Sequence, residues 1–152
     1  MPLKKQYSQL WKWLNRLLPA PSNQTLQNLS QRPLHPDLQT TGTQSSLVQA
    51  RAAFEAQNYA ESLVLFTQLT RQNDQNPWAW HGLGDSYQLL GNPTMALHAY
   101  SRAIKIQPNE GLHYGGRANA HHSLGNAHAE AQDWTTALTL NPKLVWMRPQ
   151  SS

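Results

Sequence analysis

Slid against itself by 34 residues, the chain sets Trp80 over Tyr114, Gly84 over Ala118, Leu90-Gly91-Asn92 over Leu124-Gly125-Asn126, Tyr100 over Trp134, Ala103 over Ala137 and Pro108 over Pro142. The same shift backwards sets Ala50 against Gly84, Asn58 against Asn92, Ser62 against Ala96, Leu63 against Leu97 and Phe66 against Tyr100. Three copies therefore follow one another, over about 45–76, 77–110 and 111–142. A period of this length restricts the fold severely. Each copy is one supersecondary unit that cannot bury its apolar face alone, so stability has to come from stacking on its neighbours.

Within the middle copy, Trp80, Leu83 and Tyr87 recur at helical spacing, and Gly91-Asn92-Pro93 then breaks the helix. Pro93 is suited to open a second helix, whose inner face carries Ala96, Tyr100 and Ala103. Gly84 and Ala96 are small where the two helices approach, the aromatics fill the grooves beside them, and Pro108 ends the unit. A stripe of aromatics at this spacing is core rather than a ligand box. Trp80, Leu83, Gly84, Tyr87, Ala96, Tyr100, Ala103 and Pro108 stand at every spacing of the tetratricopeptide repeat, and the chain resembles that family. The resemblance implies an all-α superhelix of three helical hairpins.

The outer copies depart from the pattern. In the first, Ala50 and Ala53 replace the Gly and the Tyr, and the longer distance from Phe66 to Pro77 than from Tyr100 to Pro108 predicts a longer second helix. In the third, Arg117 takes the place of Leu83, His121 that of Tyr87 and Glu130 that of Ala96. A carboxylate where helices cross is costly, so the expectation is either a slipped register, with Ala129 or Ala131 at the contact, or a loosely packed last hairpin. The residues after Pro142, a short stub over 143–152, hold Leu144, Val145, Trp146 and Met147. They either cover the last hairpin or present an apolar end through which the chain forms a homo-oligomer.

The charge lies elsewhere. Lys4, Lys5, Lys12, Arg16 and Arg32 give the stretch before Asp37 five positive charges and no acid, while the 7 remaining basic residues against 8 acidic ones leave the repeats near neutral. On a helix over 1–18, Leu10, Trp11, Leu14, Leu17 and Leu18 gather on one side and Lys5, Lys12 and Arg16 on the other, until Pro19 and Pro21 stop it. Such a basic amphipathic helix suits an anionic membrane surface or a partner protein, the alternative being packing on the chain's own repeats. Flotation with anionic liposomes separates these readings. Lys12, Asn15 and Arg16 interrupt the apolar run that a secretory signal needs. The segment 19–44, rich in Pro, Gln, Ser and Thr, reads as a disordered linker. No run is apolar enough to span a membrane, so the expected location is cytoplasmic, at most peripheral to a membrane.

Chemistry has few candidates. With no cysteine, metal binding would fall to His and carboxylates, whose spacings do not converge: there is no HxxxH or HExxH, and the adjacent His121 and His122 point to different sides of a helix. No phosphate-binding glycine loop or nucleophile elbow occurs, so neither an enzyme nor a cofactor is expected. What remains is a binding surface. The family resemblance implies a partner groove lined by the first helix of each hairpin, here Arg51, Phe54 and Glu55, then Trp78, His81, Asp85 and Gln88, then Leu112, Asn119 and His122. It implies an adaptor, scaffold or assembly factor for a protein or peptide. Nucleic acid is disfavoured, because the repeats carry no excess of Lys or Arg. Relatives that clamp acidic chaperone tails use Lys, Asn and Arg at places held here by Leu47, Arg51, Gly82, Asp85, Leu112 and Gly116, so such a tail is disfavoured too. A structural, self-associating repeat protein is the rival reading.

Overall fold

The computed structural model describes residues 38–149, and the repeats form the unit Ser46–Ser152. The helices of the described residues are α1 (Leu38–Glu55), α2 (Tyr59–Gln72), α3 (Pro77–Leu89), α4 (Pro93–Ile106), α5 (Gly111–Ser123) and α6 (Ala127–Leu140), followed by a 3-10 turn over Pro142–Met147. No strand occurs among them. α3 with α4 and α5 with α6 pair as hairpins, α2 packs on α3 and α4 on α5, and α3 and α5 also touch directly. The helix starts follow from local chemistry. Pro77, Pro93 and Pro142 each stand in a first turn, and Asn76 Oδ1 accepts from the Trp78 and Ala79 backbone N–H groups at 3.1 and 3.2 Å. Asn92 and Glu110 cap α4 and α5 in the same way.

The turns inside the second and third hairpins are made by Gly91 (φ 79°) and Gly125 (φ 72°), in the left-handed region that costs glycine little. At the equivalent place in the first hairpin stands Gln57, with φ 63°. A side chain held there costs on the order of 1 kcal/mol.

Three expectations are corrected. The helix of the first repeat starts at Leu38 rather than near Ser45, so the end of the stretch read as linker is helical; no proline follows Pro36 to stop it. The second helix of the first repeat is no longer than its counterparts, since α2, α4 and α6 each have 14 residues. Pro77 is the opening residue of α3 and not the equivalent of Pro108, whose place in the first repeat belongs to Asp74.

The third concerns the last hairpin, which neither slips nor loosens. Trp134 and Ala137 are buried where Tyr100 and Ala103 are buried one repeat earlier. Arg117, in the place of Leu83, donates to Asp133 through Nε at 2.8 Å and Nη2 at 2.7 Å, and Asp133 stands in the place of Ala99. A bidentate ion pair thus replaces an apolar contact at the same register. Glu130 lies partly buried and turns its carboxylate to His122, 3.0 Å away, so the carboxylate has a hydrogen-bond partner at the helix crossing.

The C-terminal turn folds against the last hairpin. Leu144 and Met147 are fully buried, leaving Val145 exposed and Trp146 half-buried. The apolar end anticipated from Leu144, Val145, Trp146 and Met147 is therefore half consumed as a cap.

Candidate functional site

Large aromatics in the second helix of each hairpin set the spacing between repeats. Phe66 of α2 sits where a Cβ on Gly82 of α3 would be, 2.2 Å from its Cζ. One repeat on, Tyr100 of α4 lies 2.5 Å from the Cβ position of Gly116 and 2.7 Å from that of Gly84. Gly82 and Gly116 are thus sockets for rings 34 positions apart in the sequence. The sockets also account for the missing clamp. Two of its places are occupied by aromatic rings and cannot carry a side chain.

The Tyr100 hydroxyl reaches through this packing to the first-helix face and donates to Asp85 Oδ1 at 2.6 Å. The other oxygen, Oδ2, lies 3.5 Å from His81 Nε2, one helical turn away on α3, and makes no hydrogen bond. His81 Nδ1 lies 3.1 Å from Nδ1 of His113 on α5, so one ring must donate and the other accept. Trp78 packs edge-on against both rings, at 5.9 and 5.1 Å between centroids. Farther along, Gln88 Nε2 donates to Ser123 Oγ at 2.6 Å and more weakly to the Asn119 carbonyl at 3.4 Å. The result is a continuous polar line from Tyr100 through Asp85 and His81 to His113, on a face that carries Gln88 and Asn119 beyond it.

Of the side chains assigned to the groove from the sequence, His81 and Asp85 belong to this line, Trp78 packs on its histidines and Gln88 meets Asn119 beyond it, and few of the ten are solvated. Phe54, His81, Asp85, Gln88, Leu112 and Asn119 are buried, Arg51 and Trp78 are intermediate and Glu55 is exposed. Phe54 packs edge-on with Tyr59 at 5.3 Å. His122 does not join the rest, because it pairs with Glu130 of α6. The sequence reading missed His113, Tyr100 and Ser123. A signal for His113 existed: it occupies the place of the small, buried Ala79 one repeat earlier. Leu10, Trp11, Leu14, Leu17, Leu18, Lys5, Lys12 and Arg16 lie outside the described residues. Among those described, no three His, Asp or Glu side chains stand close enough to hold a metal ion. A depression between α2, α3 and α4 is mostly apolar, with Trp80, Tyr87, Met95 and His98 in its lining.

Burial shifts the titration of the polar line. It pushes the Asp85 carboxyl up to about 7, with the Tyr100 hydrogen bond acting the other way. It pulls His81 down to about 4, and His113 still lower with the help of the neighbouring His81. Both histidines therefore stay neutral in the folded protein below pH 6.5, where the unfolded chain binds a proton on each. Their contribution to stability is lost as the pH falls. Asp85 works oppositely: its folded form holds a proton that the unfolded carboxyl releases near 3.8, so its contribution is lost as the pH rises towards 7. Two histidines outweigh one aspartate. Thermal melts should show greatest stability near pH 6.5, with a net loss of about 1.4 kcal/mol per pH unit on acidification towards 4.5. Asp85→Asn should steepen that loss, and a flat profile from 4.5 to 6.5 would contradict the burial of the two neutral rings.

A family model for the tetratricopeptide repeat matches residues 77–110. No curated protein matches the chain. Many solved structures share its fold. The Arabidopsis OM64 TPR domain superposes with a TM-score of 0.68 at 18% identity, over 70% of this chain and 88% of that one. The first TPR of Spaghetti (RPAP3), bound to the HSP90 peptide SRMEEVD, gives 0.67 at 17%, over 69% and 83%. The Yersinia enterocolitica type III secretion chaperone SycD, in complex with a peptide of the translocator YopD, gives 0.67 at 17%, over 71% and 85%.

Proposed function

Because the chain is a tetratricopeptide-repeat protein, we propose that it works as a non-catalytic interaction module, an adaptor, scaffold or assembly factor, holding a protein or peptide segment against the face shared by α1, α3 and α5. The observation that carries this reading is the polar line on that face: Asp85, Gln88 and Asn119 keep oxygens that accept no hydrogen bond, beside the partly exposed ring of Trp78. Core packing does not require carboxyl and amide groups there, and an orphaned buried acceptor costs roughly 1–3 kcal/mol unless something completes it. A bound segment would do so, with Trp78 as its apolar anchor. The peptides held by RPAP3 and SycD in the same fold support the reading by analogy.

Trp78→Ala combined with Glu55→Gln removes the ring that packs on His81 and His113 and one exposed carboxylate, while keeping every side chain of the polar line. Affinity capture from the native cell, quantified by mass spectrometry, should lose its principal partner by about tenfold with this double variant. Undiminished recovery by a variant of wild-type helicity would remove the face from the binding role.

A further inference from the structure

Among the described residues, four buried polar atoms on this face lack a hydrogen bond; one is His113 Nε2 and the other three are oxygens. Asp85 Oδ2, Gln88 Oε1 and Asn119 Oδ1 are all oxygens and all acceptors, each buried and without a hydrogen bond. Asp85 and Asn119 stand 34 residues apart, at the same place in consecutive repeats, and Gln88 bridges α3 to α5 through Ser123 and the Asn119 carbonyl. The side-chain amide of Gln88 is oriented by those two donations, which fixes its free atom as the oxygen. Asp85 already has its hydroxyl donor in Tyr100, on the other carboxylate oxygen. Of the six places where cationic or amide side chains would accommodate an acidic ligand, only Arg51 carries a cation: Gly82 and Gly116 receive the rings of Phe66 and Tyr100, Leu112 is buried, Leu47 is apolar and Asp85 is itself a carboxyl.

We infer that the segment bound on this face is cationic and presents an arginine side chain to Asp85, Gln88 and Asn119. This rests on the reading of the face as a peptide groove and names the chemistry of its ligand. A guanidinium carries five N–H donors and no acceptor, which matches a set of acceptors lacking donors. An acidic C-terminal segment would bring acceptors to acceptors, and its charge would oppose the ionisation of Asp85 further. Ionisation of Asp85, which burial opposes, becomes favourable once a guanidinium is beside it. Non-specific attraction does not explain a preference for basic ligands, since the repeats, with 7 basic residues against 8 acidic ones, are near neutral.

The test is selection of a random heptapeptide library, displayed on phage, against the full chain. Enriched sequences should contain arginine well above its library frequency, with lysine second. The same selection on Asp85→Asn, which keeps the shape and an acceptor for Tyr100, should lose that bias. Binding of an enriched synthetic peptide should weaken by roughly tenfold or more. Should Asp85→Asn fail to fold, Asn119→Leu, which removes an uncharged acceptor, carries the comparison and should weaken the same peptide by at least severalfold. Enrichment of acidic or neutral sequences would overturn the inference while leaving a peptide groove in place. Arginine peptides held equally by the wild type and by folded variants would overturn it as well. Selection of no sequence at all would overturn both the inference and the groove beneath it.

Discussion

Tyr100→Ala is expected to destabilise the repeats by about 4 kcal/mol, the cost of emptying a buried aromatic site, and to lower the melting temperature by roughly 15–20 °C for a domain of this size. The ring is fully buried and stands against two glycine faces, Gly84 on α3 and Gly116 on α5. Neither glycine has a side chain that could move into the space, which leaves refilling to Tyr87 and Leu97 beside the ring or to helix movement. The change also removes the donor on Asp85 Oδ1, leaving the carboxyl without its one hydrogen bond among the described residues. Tyr100→Phe separates the two effects. It keeps the packing and loses the hydrogen bond, for about 1–2 kcal/mol. Denaturant melts of both variants check the division, and a loss below 1 kcal/mol for Tyr100→Ala would mean that the ring is not the joint between the second and third repeats.

Gly82→Val fails in the opposite sense, by overfilling. Replacing glycine inside a helix ordinarily gains up to about 1 kcal/mol in propensity, and Gly82 lies in the middle of α3 with no unusual backbone angle. Here the steric term wins. A Cβ would meet Phe66 at 2.2, 2.4 and 2.6 Å, against a ring that is itself fully buried. Accommodation requires α2 and α3 to separate, at the upper end of the 1–3 kcal/mol typical of overpacked cores, about 3 kcal/mol. Phe66→Ala alone should cost a similar or larger amount. The two changes combined should cost clearly less than the sum of the single variants, because each makes room for the other. Simple additivity in that cycle would refute the socket.

The sequence was most explicit where a signal is local or periodic. Prolines at 77, 93 and 142, glycines at 91 and 125 and asparagines at 76 and 92 mark helix ends by their own backbone and side-chain chemistry, and each marks one in the structure. The 34-residue shift identified the buried positions Tyr100, Ala103, Trp134 and Ala137 without any knowledge of what they touch. The length of α2 was misjudged because Pro77 was compared with Pro108, two prolines with different roles. Aligned by the period itself, the first repeat has Asp74 there and needs no longer helix.

Contacts across the interfaces were decided by the tertiary structure. Arg117, Asp133 and Glu130 each look unfavourable as single substitutions for Leu83, Ala99 and Ala96. Only when α5 and α6 are packed do Arg117 and Asp133 come within 2.7 Å, and only then does Glu130 find His122. The groove positions show the same division. Their places on α1, α3 and α5 follow from a repeat pattern, whereas the meeting of His81 with His113, the hydroxyl that Tyr100 sends to Asp85 and the use of Gly82 and Gly116 as sockets depend on how one hairpin is stacked on the next. A chain's own periodicity sets which face of a helix is apolar, because that depends on residues three and four apart. The partner that a polar or missing side chain finds across an interface depends on interhelical distance and rotation, set jointly by all the rings between the repeats.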